Sequence, residues 1–253
     1  MIDPMASFEV KTLIPLELFG IDISITNSSL YMILVVVAIC ILFFIGTSNK
    51  GIIPNKLRYC LESLFNFING IIDSNVSEKG SQLFPYILSL FLFITIGNMI
   101  GLLPYAFSFT SQLVVTLCMA CLVFVASIVV GIYNQGIHYL KHFCPDGIPV
   151  YIAPFFVVIE LMSFAFRPIS LGIRLFANMV SGHIMIKIMA SFAVSLASLS
   201  FLSGGLAIIP ISVNVLLNVF KLVVCVLQAY VFSVLSCIYL SESLTINKKE
   251  GRN

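Results

Sequence analysis

Long apolar runs, separated by short polar segments, dominate the hydropathy pattern of this chain. The runs cover residues 30–46, 84–104, 112–133, 149–198 and 211–241. About 20 apolar residues suffice for one helix to cross a bilayer, so each of the first three runs predicts one membrane helix. The last two exceed a simple span, and strong tilt, a kink at Pro168 or a path along the membrane plane would absorb the excess. The pattern predicts an all-α polytopic fold, with residues 1–253 forming a single integral membrane domain.

Polar segments connect and flank these runs. Residues 1–29 form a mixed, acidic N-terminal arm, and residues 242–253 form a polar tail. After Pro54, apolar residues recur at helical spacing, namely Leu57, Leu61, Phe65, Ile68 and Ile72. This spacing predicts an amphipathic helix lying on the membrane surface, although an ordinary connecting helix fits the same residues.

The distribution of basic residues predicts the orientation in the membrane. Residues 47–83 are rich in Lys and Arg, and the tail carries Lys248, Lys249 and Arg252. Basic loops accumulate on the cytoplasmic or matrix side, whereas the acidic N-terminal arm would lie outside. A chain that starts outside and ends inside crosses an odd number of times, which agrees with about five net crossings.

Composition narrows the possible functions. Hydrophobic residues make up 60% of the chain and charged residues 9%, with a mean hydropathy of +1.10. Soluble domains carry about 25% charged residues, so this chain belongs with membrane proteins. The net charge of +2 is too small to predict nucleic-acid binding, and neither a P-loop nor a GxGxxG motif occurs. We therefore expect no nucleotide, nucleic-acid or cofactor site.

Two possible metal or redox patterns have simpler interpretations. Cys118 and Cys121 form a C-x-x-C pair, but it lies inside an apolar run without a second pair, which favours packing. His138 and His142 are four residues apart in a polar loop that offers no carboxylate at ligand spacing. We interpret them as solvated histidines rather than metal ligands.

The first of the two long runs carries a stripe of polar groups. Glu160, Arg167 and Arg174 are seven residues apart, and Asn178 lies one helical turn beyond Arg174, with His183 following. An arginine near the bilayer centre costs about 2.5–3.5 kcal/mol on insertion scales. Arginine keeps its proton under physiological conditions, so a chain that retains this charge is expected to use it.

The last run repeats this spacing. Asn214, Lys221 and Gln228 also follow one another at intervals of seven residues. Polar groups inside hydrocarbon face one another, a partner or water. One interpretation is that both stripes only join helices through hydrogen bonds, worth about 0.6 kcal/mol each. That interpretation is weak for Arg174, because Asn or Ser would do the same at lower cost.

Several motifs resemble one family over nearly the whole chain. The most specific are SLGIRLFANMVSGH at 170–183 and LQAYVFSVLSCIYLS at 227–241. PLELFGIDISITNSSLYM, NMIGLLPYAF and GIPVYIAPFFVVIELMSF extend the resemblance toward the N-terminus. They resemble the membrane-embedded a subunit of F-type ATP synthases, in its alphaproteobacterial and mitochondrial branch.

The resemblance implies a proton-channel subunit that has no enzymatic activity of its own. Its last two helices would form a long, tilted hairpin against a ring of c subunits, with stator b subunits and the rest of the ATP synthase as further partners. Two aqueous half-channels would end near the arginine, which faces the ring carboxylates, and proton flow would drive ATP synthesis. The expected location is an energy-transducing inner membrane, with a bacterial host favoured and a mitochondrion as the alternative.

The resemblance also assigns roles to individual residues. Arg174 matches the arginine that faces the c-ring and blocks proton leakage, and Asn178 follows it as in the family. His183 resembles an inlet relay group, Gln228 the polar partner of the arginine, and Glu160 an acid lining the release side. Asn214 joins this proton path through its place in the stripe.

One position departs from the family pattern. Lys221 stands where the family has Glu or His, which reverses the expected charge of the inlet. Its amine could be neutral and relay protons, it could pair with an acid of another subunit, or the inlet could use other groups.

Two other functions remain as alternatives, a self-contained secondary transporter or ion channel and a structural membrane anchor. A transporter would show matching polar patterns in both halves, and an anchor leaves Arg174 unexplained. We expect protons rather than sodium as the transported ion, because histidine changes charge near neutral pH.

Overall fold

The computed structural model describes most of the chain as α-helix. The described residues are 10–15, 17–18, 21–22, 24–48, 56–75, 80–103, 106–136, 151, 153–199 and 208–245. Their α-helices are α1 (Asn27–Ser48), α2 (Lys56–Asn75), α3 (Phe84–Gly101), α4 (Leu113–Gln135), α5 (Ala153–Leu199) and α6 (Ile208–Thr245). Short 3-10 helices cover Gly80–Leu83 and Phe109–Ser111.

Five of these helices are long and apolar enough to cross a membrane. They include the segments Asn27–Ser48, Phe84–Gly101, Leu113–Asn134, Phe155–Ala197 and Ile208–Ser243. The predicted all-α polytopic fold is confirmed. Several boundaries differ from the prediction: α3 ends at Gly101 instead of residue 104, and α5 continues through Pro168 to Leu199. Glu242 was predicted to begin the polar tail, but α6 includes it and ends at Thr245.

The N-terminal arm contains short strands that the sequence did not predict. β1 (Thr12–Ile14) pairs antiparallel with β4 (Ile25–Thr26), and β2 (Glu17–Leu18) pairs antiparallel with β3 (Ile21–Asp22). A reciprocal cap explains why α1 begins directly afterwards. The Thr26 amide donates to Ser29 Oγ at 3.0 Å, and the Ser29 amide donates to Thr26 Oγ1 at 3.4 Å. These bonds satisfy amides that the first helical turn leaves without partners.

The chain divides into two compact units. The first unit comprises Met1–Phe44, Leu92–Leu113 and Leu175–Tyr230. In its core, the fully buried Phe109 lies against the Cα of Gly97, where an added Cβ would come within 2.4 Å of the ring. The Phe93 ring packs at 5.3 Å from the same ring. Buried side chains from later in the chain include Leu175, Met179, Cys225 and Ala229.

The second unit comprises Ile45–Phe91, Val114–Arg174 and Val231–Asn253. In α2, Leu61, Ile68 and Ile72 are buried as expected for an apolar face, whereas Leu57 is exposed. The opposite face carries an exposed ion pair between Arg58 and Glu62 at 2.9 Å. α2 is therefore amphipathic, and its position on the membrane surface stays a prediction.

In the same unit, α4 and α5 approach closely. The Phe124 and Phe164 rings lie 4.6 Å apart, and Gly172 lies directly against the backbone of Thr116 and Leu117. A Cβ added to Gly172 would be 3.1 Å from both Leu117 Cα and the Thr116 carbonyl oxygen. Small residues permit such contact between membrane helices.

Candidate functional site

In the second unit, α5 presents the two arginines in different environments. Arg167 forms an ion pair with Glu242 of α6 and lies over two aromatic rings. Arg174 is exposed, and among the described residues it forms neither an ion pair nor a hydrogen bond. Glu160 is half-buried on the same helix. Arg174 is therefore a charge that the described part of the chain leaves available to a partner.

Gly172 fixes the local position of Arg174. Its contact with the backbone of α4 lies two residues before the arginine, so the approach of α5 to α4 is set just there. Leu171 and Leu175 flank this region and are fully buried, whereas Ile173 and Arg174 are exposed. The helix thus anchors one face and directs the guanidinium outward.

In the first unit, α5 and α6 pack against each other in antiparallel order. Cys225 Sγ lies 3.7 Å from Met179 Sδ, and Lys221 lies against Gly182. A Cβ added to Gly182 would be 2.7 Å from Lys221 Cε, so the absent side chain provides the space that the lysine stem fills. Lys221 is only 6% exposed.

Buried polar atoms accumulate in this unit. Among the described residues, several have no hydrogen-bond partner, namely Asn98 Nδ2 and Oδ1, Asn178 Nδ2, Asn214 Oδ1, Lys221 Nζ and Gln228 Nε2. Buried polar groups are almost always paired, with protein or with water. So many buried atoms without a protein partner, on three helices of one unit, are sites where internal water would bind. His183 is half-buried on α5 in the same unit.

The predicted site residues therefore fall into two groups. Glu160 and Arg174 belong to the second unit, and the remaining predicted residues belong to the first: Asn178, His183, Asn214, Lys221 and Gln228. Their association around Arg174 stays a prediction.

The predicted metal and redox interpretations have different outcomes. His138 and His142 lie outside the described residues. Within the described segments, no three metal-ligating side chains come together. Cys118 and Cys121 are free thiols, and both are exposed on α4, whereas the sequence favoured packing for them.

Sequence reasoning missed Glu242 and Gly182. Glu242 lies fourteen residues after Gln228, so it continues the seven-residue spacing of the α6 stripe. That spacing could have identified it, but the polar residues around it resembled a tail. No local signal distinguishes Gly182, because its role depends on Lys221, which lies far away in sequence.

Comparison with protein families decides the family. Residues 29–241 match the family model described as ATP synthase A chain. The chain belongs to this family. Together with the five membrane-length helices among the described residues, membership makes it a multi-pass membrane protein.

Full-length relatives support the assignment. The chain is 41% identical over 242 residues to ATP synthase subunit a of Agrobacterium fabrum, covering 96% of this chain and 97% of the relative. It is 40% identical over 247 residues to the same subunit of Rhodospirillum rubrum, covering 98% and 100%. The resemblance stated from the motifs is confirmed.

Proposed function

We propose that this chain translocates protons through the membrane sector of a rotary F-type ATP synthase and couples their flow to ATP synthesis. It acts as one subunit of that complex and has no catalytic activity alone. The observation that carries the proposal is Arg174, an exposed arginine on a membrane-length helix without an ion pair among the described residues. Such a charge needs a partner outside the chain.

The proposed partner is the carboxylate that each c subunit brings to mid-membrane. A nearby positive charge favours the ionised carboxylate and so promotes proton release. The same charge repels a proton that would otherwise leak between the two half-channels. Lysine would be a poor substitute, because desolvation can remove its proton, whereas arginine stays charged.

The proposed inlet uses the buried polar atoms of the first unit. Asn178, His183, Asn214 and Gln228 line it, and Asn98 joins them because both of its amide atoms lack a hydrogen-bond partner among the described residues. A hydrated path supplies those partners. The outlet uses Glu160, the half-buried acid on the arginine's own helix.

Lys221 gives this inlet an unusual charge. Its amine is buried beside Gly182 and has no hydrogen-bond partner in the described part of the chain. We assign proton transfer to the surrounding groups rather than to this amine.

The setting follows from the same proposal. The c-ring, the stator b subunits and the rest of the ATP synthase are the partners, and the bilayer covers the exposed apolar helix faces. The N-terminus lies outside and the C-terminus on the cytoplasmic or matrix side, as the basic residues predict. A bacterial inner membrane is the favoured location.

ATP-driven proton pumping in inverted membrane vesicles tests the proposal. We expect Arg174→Ala to abolish pumping while the complex still assembles. Arg58→Ala is the matched control, since it removes an exposed arginine from α2, and should pump normally. Normal pumping by Arg174→Ala would refute the arginine mechanism. Proton conduction by the purified chain in liposomes without a c-ring would instead establish a self-contained channel.

A further inference from the structure

Arg167, whose side chain is 25% exposed, lies beside Glu242 and two aromatic rings. Its guanidinium carbon lies 5.7 Å from the centre of the Phe164 ring and 5.4 Å from that of Tyr239. A guanidinium within about 6 Å of a ring is attracted by the π electrons, and the attraction grows when water is excluded. The ion pair with Glu242 joins residues 75 positions apart in sequence. The arginine is thus held from three directions.

Ser241, the residue before Glu242, binds the same turn of α6 to the end of α2. Ser241 Oγ donates to the Asn75 carbonyl oxygen at 2.7 Å, at the end of α2. Asn75 is itself held in place, because its side-chain Nδ2 donates a hydrogen bond to the Ile71 carbonyl oxygen at 2.7 Å. Two consecutive residues therefore bind the end of α6 to α2 and to α5. An ion pair with such support has a defined geometry, unlike an ordinary surface pair.

The cluster also lies close to Arg174. The charges of Arg167, Glu242 and Arg174 all act on the hydroxyl group of Tyr239. Arg167 and Arg174 are seven residues apart on one helix, so a rotation of α5 at Arg167 moves Arg174 as well. Because Glu242 is engaged by Arg167, this carboxylate of the chain does not neutralise Arg174.

We propose that Arg167, Glu242, Phe164 and Tyr239 form a positioning clamp for Arg174. The clamp fixes the rotation of α5 about its axis and keeps Glu242 away from the arginine that meets the ring. Arg167 and Glu242 are positioning residues and touch no transported proton. This inference rests on the proposed function, because it assumes that the c-ring carboxylates require an Arg174 that has no ion-pair partner in its own chain.

The test compares charge removal with charge exchange in the assembled complex. Glu242→Gln removes the ion pair, and Glu242→Asp keeps the negative charge at residue 242. The double variant Arg167→Glu/Glu242→Arg restores the ion pair with the acidic and basic residues exchanged. Glu62→Gln is the matched control, because it removes an exposed ion pair from α2. The readout is the ratio of protons pumped to ATP hydrolysed in the same vesicles. Poor assembly lowers both quantities together, whereas a misplaced arginine lowers the ratio.

We expect Glu242→Gln to lower this ratio about tenfold or more, since misplacement by 1 Å can cost about a hundredfold. Glu242→Asp and the double variant should recover most of it, and Glu62→Gln should match the native chain. A native ratio for Glu242→Gln would overturn the clamp. So would a defect that the double variant fails to relieve, because the carboxylate rather than the pair would then matter.

Two further comparisons keep the outcomes separable. If Glu242→Gln fails to assemble, the double variant decides: recovered assembly and coupling support the clamp, and continued failure overturns it. Arg174→Ala is measured in parallel. A native ratio for Glu242→Gln with loss of pumping in Arg174→Ala would refute the clamp alone. Native pumping in both would refute the proposed function itself.

Discussion

Replacing Gly172 with alanine tests whether close helix contact positions Arg174. The new Cβ would lie 3.1 Å from Leu117 Cα and 3.1 Å from the Thr116 carbonyl oxygen. It would also lie 2.9 Å from Leu117 Cδ2, a side-chain end that can move away, but the two contacts at 3.1 Å are with backbone atoms, so α4 and α5 must shift apart by a few tenths of an ångström. Overpacking of this kind costs about 1–3 kcal/mol. Alanine also gains about 0.8–1.0 kcal/mol of helix propensity, which obscures the absolute effect.

Gly70→Ala removes that ambiguity. Gly70 lies within α2, and an added Cβ there meets nothing within 4 Å. Both variants gain the same propensity, so the difference between them isolates the overpacking cost of about 1–3 kcal/mol. We would heat the detergent-solubilised complex and measure the temperature at which half remains assembled. This temperature should be lower for Gly172→Ala than for Gly70→Ala.

Proton pumping gives a second readout for the same pair. Because Gly172 lies two residues before Arg174, separation of the helices should lower pumping by Gly172→Ala about tenfold or more. Adding Leu117→Ala should relieve the defect only in part, since it removes Leu117 Cδ2 and leaves the backbone obstacles in place. Equal heat resistance of the two glycine variants, or complete rescue by Leu117→Ala, would refute this reasoning.

Two buried polar residues of the first unit give further predictions. Lys221→Met should raise the temperature at which half of the complex remains assembled, because a buried donor without a hydrogen-bond partner among the described residues costs about 1–3 kcal/mol. Lys56→Met, at an exposed position, is the control. A lower temperature for Lys221→Met would contradict the prediction. Asn98→Leu should assemble yet pump more slowly, because a hydrated path would lose two hydrogen-bonding atoms; native pumping rates in vesicles would remove α3 from the proton path.

The sequence predicted what depends on local pattern. Apolar runs of membrane length predicted the five spans, and the seven-residue spacing placed Glu160, Arg167 and Arg174 on one helix. These features depend on helix periodicity and on the thickness of the bilayer, which are properties of any segment.

Features that depend on distant partners escaped prediction. The end of α6 reads as a polar tail, yet it stays helical where Ser241 and Glu242 bind Asn75 and Arg167. The short N-terminal strands likewise require each other, since pairs of two residues carry no periodic signal. Local pattern therefore identifies which segments form helices, and tertiary contacts decide where those helices end.

The two arginines of α5 illustrate the same division at the level of function. The sequence places Arg167 and Arg174 seven residues apart in one apolar run, and its motif predicts that Arg174 is the arginine that meets the c-ring. Arg167 is neutralised by Glu242 and covered by two rings, whereas Arg174 is exposed without an ion pair among the described residues. A charged side chain in the membrane that forms an ion pair within its own chain can have a structural role. One that has no such ion pair requires a partner outside the chain. The contrast supports the two proposed roles, positioning for Arg167 and the encounter with the ring for Arg174.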